Sequence, residues 1–279
     1  MFDKLSYTWE LMASSWSVLK KTKGLLVFPL LSGICCMAVM ASFIVPLVYS
    51  GRWQPPDPEN GRAAQIAYWG LMFLLYFCLY FVISFFNVAI ISGAISRMAG
   101  GEPTVSGCFR EAVKRIHLIF GWALVMATVG LILRMLEERF KRVGRFIAGL
   151  IGMAWSMISF LVVPILVVEE KSPIEALKES TALLKRNWGE QLIGNFSFGL
   201  IFFLLFIPSI IVLIITFIVA PPMVALIVLV VVLVYWVLLS LIQSALQSIF
   251  QAAVYMHTQS VYCEEFPPST LASAMSPKD

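Results

Sequence analysis

Charge is what this sequence has least of. Only 13% of its 279 residues are Asp, Glu, Lys or Arg, about half the share of a soluble domain, which excludes a large soluble catalytic domain. Histidine occurs twice, at His117 and His257. Without supporting partners these two read as solvated or hydrogen-bonded side chains rather than as haem ligands. The five cysteines, at 35, 36, 78, 108 and 263, form no C-x-x-C pair, so neither a zinc site nor a disulfide framework is expected. There is no Gly-rich phosphate loop and no H-E-x-x-H pair. No ionisable residue falls near the centre of an apolar run, which removes the usual basis of proton-coupled transport. These gaps lead to the expectation of a non-enzyme with no cofactor and no metal.

What the sequence has is hydrocarbon. Apolar residues make up 60% of the chain and the mean hydropathy is +0.89. Apolar runs fall at about 25–49, 64–96, 118–136, 146–168, 191–220 and 223–256, each long enough for a bilayer core of ~30 Å. The fold class expected is all-α: a polytopic membrane protein of six spans in three hairpins, each preceded by a cytoplasmic interfacial amphipathic helix. The proline-rich segment 50–62 and Pro221-Pro222 mark two of the hairpin turns. The second and sixth runs, at about 1.5 Å per residue, make helices longer than the membrane is thick, so their ends should project beyond it. Asp3, Glu10 and other polar residues precede the first run, which is unlike a signal peptide and suggests an uncleaved anchor.

A net charge of +4, from 20 basic and 16 acidic residues, is too weak and dispersed for nucleic acid and fits a membrane surface. With the N-terminus inside, 13 of the 20 Lys and Arg residues are cytoplasmic, as the positive-inside rule favours. This places both termini in the cytoplasm. The exception is a basic cluster between the third and fourth spans, Arg134, Arg139, Lys141, Arg142 and Arg145. It is either a hairpin tip neutralised by Glu137 and Glu138 at helical spacing or an external contact for anionic headgroups or a partner.

Three polar-faced helices are the most informative feature. In the first, Phe2, Leu5, Trp9, Met12, Trp16 and Leu19 recur in steps of three and four. The second carries Val105, Phe109, Val113 and Ile116 opposite Arg110, Glu111 and Lys114. The third carries Ile174, Leu177, Thr181, Leu184 and Trp188, and its Ser172-Pro173-Ile174-Glu175 start reads as a cap, a first-turn proline and a capping-box glutamate. A slide of 68 residues lays Thr104 on Ser172, Arg110 on Lys178 and Glu111 on Glu179. The expectation is one membrane domain over 1–263, built from divergent units at about 1–98, 99–168 and 169–263, with a flexible tail at 264–279.

Two further patterns lie in the spans. Ser240, Ser244 and Ser248 alternate with Gln243, Gln247 and Gln251, a polar stripe that either packs by interhelical hydrogen bonds or lines a groove with Asn87 and Asn195. Ala148, Gly152 and Ser156 offer a small-residue face for close helix approach.

The run Lys20-Lys21-Thr22-Lys23-Gly24-Leu25-Leu26-Val27-Phe28-Pro29-Leu30-Leu31-Ser32-Gly33 follows a Trp-bearing amphipathic helix, and Val163 to Glu170 and Ala176 to Ser180 come later. With these features the chain resembles a family of uncharacterised six-span bacterial integral membrane proteins, a domain of unknown function. It is more distantly similar to the membrane domain found beside glycerophosphodiester phosphodiesterases, whose soluble catalytic domain has no counterpart here. The resemblance implies the architecture and brings no catalytic residue with it.

The function expected is a non-enzymatic membrane binding or scaffold protein, an accessory subunit of a larger envelope complex. Its partners are membrane lipids and either another protein or a second copy, and its interfacial contacts are Trp9, Trp16 and Trp188. The rival is a transporter or groove protein for lipids or hydrophobic substrates. The topology is directly testable: single cysteines at Gln54 and Ser276, in a chain lacking the native five, should react with an impermeant label from opposite sides of the membrane. Reaction from one side would defeat the assignment.

Overall fold

The computed structural model describes residues 2–49, 61–186 and 191–259. Regular structure is helical throughout, with no strand among the described residues. The elements are α1 (Phe2–Lys21), a 3-10 turn at Lys23–Leu26, α2 (Val27–Tyr49), α3 (Arg62–Met98), α4 (Val105–Lys114) and α5 (Ile116–Ile158). Then come α6 (Val162–Val168), α7 (Pro173–Arg186), α8 (Gln191–Val219) and α9 (Pro222–Thr258). Six stretches are long and apolar enough to cross a membrane: Lys23–Tyr49, Arg62–Met98, Ile116–Arg139, Gly144–Val168, Ile201–Val219 and Pro222–Thr258. They coincide with the six runs read from the sequence. The loop over 50–60 and the tail at 264–279 lie outside the described residues.

Both α3 and α9 are unbroken over 37 residues, about 55 Å of helix against a core of ~30 Å. Their burial is lopsided. In α9 the buried residues gather between Ala245 and Met256, while Met223, Leu226, Ile227, Val231 and Val234 are exposed. In α3 they gather between Ser84 and Ala94, with Ile66 and Leu74 exposed nearer the start. Apolar side chains bare in the protein are satisfied by lipid, whose tails are as apolar as they are.

A straight α5 cannot account for its own contacts. Trp155 Nε1 lies 3.3 Å from the sulfur of Met126, 29 positions earlier, a separation of about 44 Å along a straight helix. Trp122 and Trp155 also stack with ring centroids 6.2 Å apart. The run therefore reverses and packs on itself. A Cβ on Gly152 would meet Leu133 Cδ1 at 3.8 Å, so the small-residue face containing Gly152 receives the first arm of the same element.

The chain forms two compact units. The first holds α1, the 3-10 turn, the end of α3, α8 and α9. Here α1 packs on α8 and α9, and α8 on α9. Pro208 inside α8 removes a backbone donor. On either side of it, Tyr235 of α9 donates to the Leu205 carbonyl at 3.2 Å and Trp236 Nε1 donates to Ser209 Oγ at 2.8 Å.

The second unit holds α2, most of α3, and α4 to α7 up to Leu184. It departs from the sequence reading at one point: the run 146–168 is not a single helix. The α-helix stops at Ile158 and resumes at Val162. The fixed ring of Pro164 disfavours continuation through the preceding turn. The resulting α6 is almost wholly buried from Val162 to Val167.

The ring pair of the reversed α5 supplies a stability test. Trp122→Ala should destabilise the protein by about 3 to 5 kcal/mol, since Trp122 is buried. In a double-mutant cycle with Trp155→Ala the coupling should be about 0.5 to 1.5 kcal/mol, read by reversible unfolding in mixed micelles. Zero coupling would mean the stacked arrangement adds nothing.

Candidate functional site

The division of a helix into a covered face, an apolar stripe and a charged side is clearest on α4. On α4 the buried residues are Cys108 and Ala112, small side chains that let the helix approach closely. The apolar stripe Val105, Phe109, Val113 and Ile116 stays 39 to 46% exposed. Arg110 and Lys114 occupy the remaining, exposed side. The packing face of α4 is made by these small residues and not by its large apolar ones. The stripe is not wholly bare, because the Phe109 ring meets Phe85 of α3 edge-on at 5.2 Å.

On α7 and α1 the division is partial, because Leu184 and Leu19 of their apolar stripes are buried beside the small residues. The buried residues of α7 are Ala176, Ser180 and Leu184, while Ile174 is exposed. On α1 the buried residues are Ser15, Val18 and Leu19, and Trp16 is 39% exposed with Lys20 Nζ 5.7 Å from its ring centroid. The slide of 68 residues lays Cys108 on Ala176 and Ala112 on Ser180, and matching Leu19 to Leu184 lays Ser15 on Ser180. All five of these small residues except Ser15 belong to the second unit.

The starts of α4 and α7 are fixed by local hydrogen bonds. Thr104 Oγ1 accepts from the Gly107 N–H at 3.0 Å. The Ser172 hydroxyl donates to Glu175 Oε2 at 2.6 Å and accepts from the Glu175 N–H at 3.4 Å, and the Ser172 N–H donates to the same carboxylate at 3.1 Å. This is the reciprocal cap read from the sequence. The hydroxyl and then the N–H of Ser172 hold the Glu175 carboxyl below the ordinary carboxylate range.

The anchor of α7 in the core is Ser180. Its hydroxyl donates to the Ile158 carbonyl at 2.6 Å and accepts from the Leu161 N–H at 3.2 Å, the two backbone groups on either side of the α5–α6 break. Close by, Pro173 sits against α5 so tightly that a Cβ on Gly121 would fall 2.9 Å from its Cγ.

A network of charges joins α4 to the loop before α7. Arg115 is mostly buried and pairs with Glu111 at 2.5 Å and Glu170 at 3.0 Å. Lys114 also reaches Glu111, at 2.6 Å, and Lys171 pairs with Glu169 at 2.5 Å and with Glu179. Glu170 has φ +52°, a left-handed conformation that costs of order 1 to 3 kcal/mol in a non-glycine residue. Hydrogen bonds from Lys114 and then Arg115 hold the Glu111 carboxyl below its ordinary range. The hydrogen bonds that Lys171 donates to Glu169 and then Glu179 raise its own pKa above the ordinary value. Burial pushes the Cys108 thiol up, which makes it an inert packing group.

The remaining expected residues fall as follows. In α9, Ser240, Ser244 and Gln247 are exposed, Gln243 and Gln251 half-buried and Ser248 buried. The stripe therefore points largely away from the chain's own core, and the hydroxyls of Ser240 and Ser248 bond to their own helix, at Trp236 and Ser244. Asn87 is half-buried in the second unit, whereas the stripe belongs to the first. Arg134 pairs with Glu138 at 2.9 Å, one helical turn on, and Arg139 and Arg145 are exposed. The side chains of Trp9, Lys141, Arg142 and Asn195, and all of Trp188, lie outside the described residues. No group of three or more His, Cys, Asp or Glu side chains able to hold a metal occurs among the described residues.

A protein-family profile matches residues 66–264, more than half the chain, and describes a family of unknown function (DUF6159). No curated protein and no solved structure matches. Ser180→Ala should leave the Ile158 carbonyl and the Leu161 N–H without their partner, destabilising the second unit by about 1 to 3 kcal/mol. Thermal unfolding followed by helical circular dichroism will measure it, and an unchanged transition would show that the hydroxyl is dispensable.

Proposed function

We propose a non-enzymatic role for this chain, which belongs to the DUF6159 family of unknown function: a multi-pass membrane binding or scaffold protein whose amphipathic helices are the contact surface. The observation that carries this reading is the division of α4 into sectors. Its small face is used by the fold and its apolar stripe is left half-exposed beside basic side chains. A helix so divided lies at the membrane surface, with apolar residues in the acyl boundary and charges at the headgroups. In this reading the three helices are divergent copies of one unit. The membrane is the bacterial cytoplasmic membrane with both termini inside, and the partner is a protein of an envelope assembly or a second copy.

A second reading, a groove or transport protein for lipids or other hydrophobic substrates, draws support from α9. Its exposed Ser240, Ser244 and Gln247 are more polar than a purely lipid-facing surface requires.

The two readings separate by mutation. Trp16→Ala combined with Val105→Gln and Val113→Gln removes exposed apolar anchors worth about 1 kcal/mol each at partial burial. The variant should insert and fold, yet lose its co-purifying protein and its dependence on anionic lipid. Gln243→Leu with Gln247→Leu should change neither. The reverse pattern would replace the scaffold reading with the groove reading.

A further inference from the structure

Within the second unit, the start of α3 and the first arm of α5 leave a groove of about 680 Å³ between them. Its walls are Ile66, Trp69 and Phe73 from α3 and Leu131 and Met135 from α5. Gly70 also lines it, and a Cβ there would meet nothing within 4 Å, so the groove has unused room at that point. Arg62 and Gln65 line the end where the span begins.

Depth and charge together narrow the occupant. From Arg62 to Phe73 a helix rises about 16 Å, half of a ~30 Å hydrocarbon core, so the groove runs from the membrane boundary to about the midplane. That is the reach of one leaflet's acyl chain. Arg62 is exposed and has no ion pair with a described residue. Arg134, adjacent to Met135, gives only its Nε–H to Glu138, and its side chain is 51% exposed. Tyr68 and Tyr76 of α3 lie within electrostatic reach of Arg134, which places that guanidinium beside the α3 wall. A guanidinium at a membrane boundary pairs with phosphate in a bidentate fork.

The geometry points to a binding site for one anionic phospholipid, its phosphate held between Arg62 and Arg134 and one acyl chain laid along Trp69, Phe73, Leu131 and Met135. A free phosphate has no use for the apolar walls, and a zwitterionic lipid brings its phosphate with a choline cation that the two guanidinium groups repel. The site does not depend on the contact surface proposed for the amphipathic helices, from which its lining residues are distinct.

The test is native mass spectrometry of the full-length protein released from nanodiscs holding equal amounts of phosphatidylglycerol and phosphatidylcholine. The wild-type chain should retain one phosphatidylglycerol through delipidation. Arg62→Gln should lower its preference over phosphatidylcholine by roughly fivefold, the effect of one basic residue at a lipid surface. Gly70→Leu should lose the retained lipid, whereas Gly33→Leu, at an equally open glycine of α2, should keep it. Ile66→Trp fills the groove from a position 71% exposed and replaces Gly70→Leu if that variant fails to fold by circular dichroism. Equal retention of both lipids by the wild type, or unchanged retention in the groove-filling variants, would overturn the site. So would groove-filling variants that convert a dimer to a monomer with lipid retention intact, because a second copy would then be the occupant.

Discussion

Where a proline or a turn releases backbone groups inside a bilayer, no water is present to take them, and the protein must supply other partners. In the second unit that partner is the Ser180 hydroxyl, which accepts from Leu161 and donates to Ile158 across the gap between α5 and α6. The rest of the unit follows from this contact. It fixes the rotation of α7, so that Ala176 and Leu184 are buried with Ser180, and it brings Pro173 onto Gly121. It also leaves Lys171, Glu179 and Glu170 where they can join the network around Arg115. In the first unit Pro208 withholds the donor that the Leu204 carbonyl would take, and the Tyr235 hydroxyl bonds the next carbonyl, that of Leu205.

Much of this was legible in the sequence, for reasons that are local. Long apolar runs specify spans by solvation alone, and the six observed stretches match them. The capping box at Ser172 and the Arg134–Glu138 pair depend on residues three and four positions apart, a distance that a sequence states outright. The lengths of α3 and α9 followed from the absence of any internal breaker. The break at 159–161 was less legible, although Pro164 signals it, because apolar residues continue on both sides and hydropathy does not change.

The polar-faced helices were legible as periodic patterns, but which of their residues the protein itself covers was not. In a soluble protein the large apolar stripe is the buried one, and a periodic pattern identifies it. In a membrane the stripe has a second place to go. Val105, Phe109 and Val113 remain half-exposed while Cys108 and Ala112 pack, because close approach rather than hydrophobicity drives helix association in lipid. Hydrophobic periodicity cannot distinguish a lipid-facing residue from a protein-facing one. The recurrence of small residues at matched offsets, Ala112 on Ser180 and Cys108 on Ala176, could have done so.

The reversal of α5 bears on how the protein is made. Its two arms stay in helical conformation through the bend and pack from Trp122 on Trp155 outward, with no slack segment between them. The second arm therefore completes contacts that the first arm alone would leave to lipid. Partition of the arms as a pair is the route in which their joint transfer free energy offsets the burden of the basic tip containing Arg139, Lys141, Arg142 and Arg145. Lengthening the bend would uncouple these events and give each arm its own decision about which side of the membrane to reach.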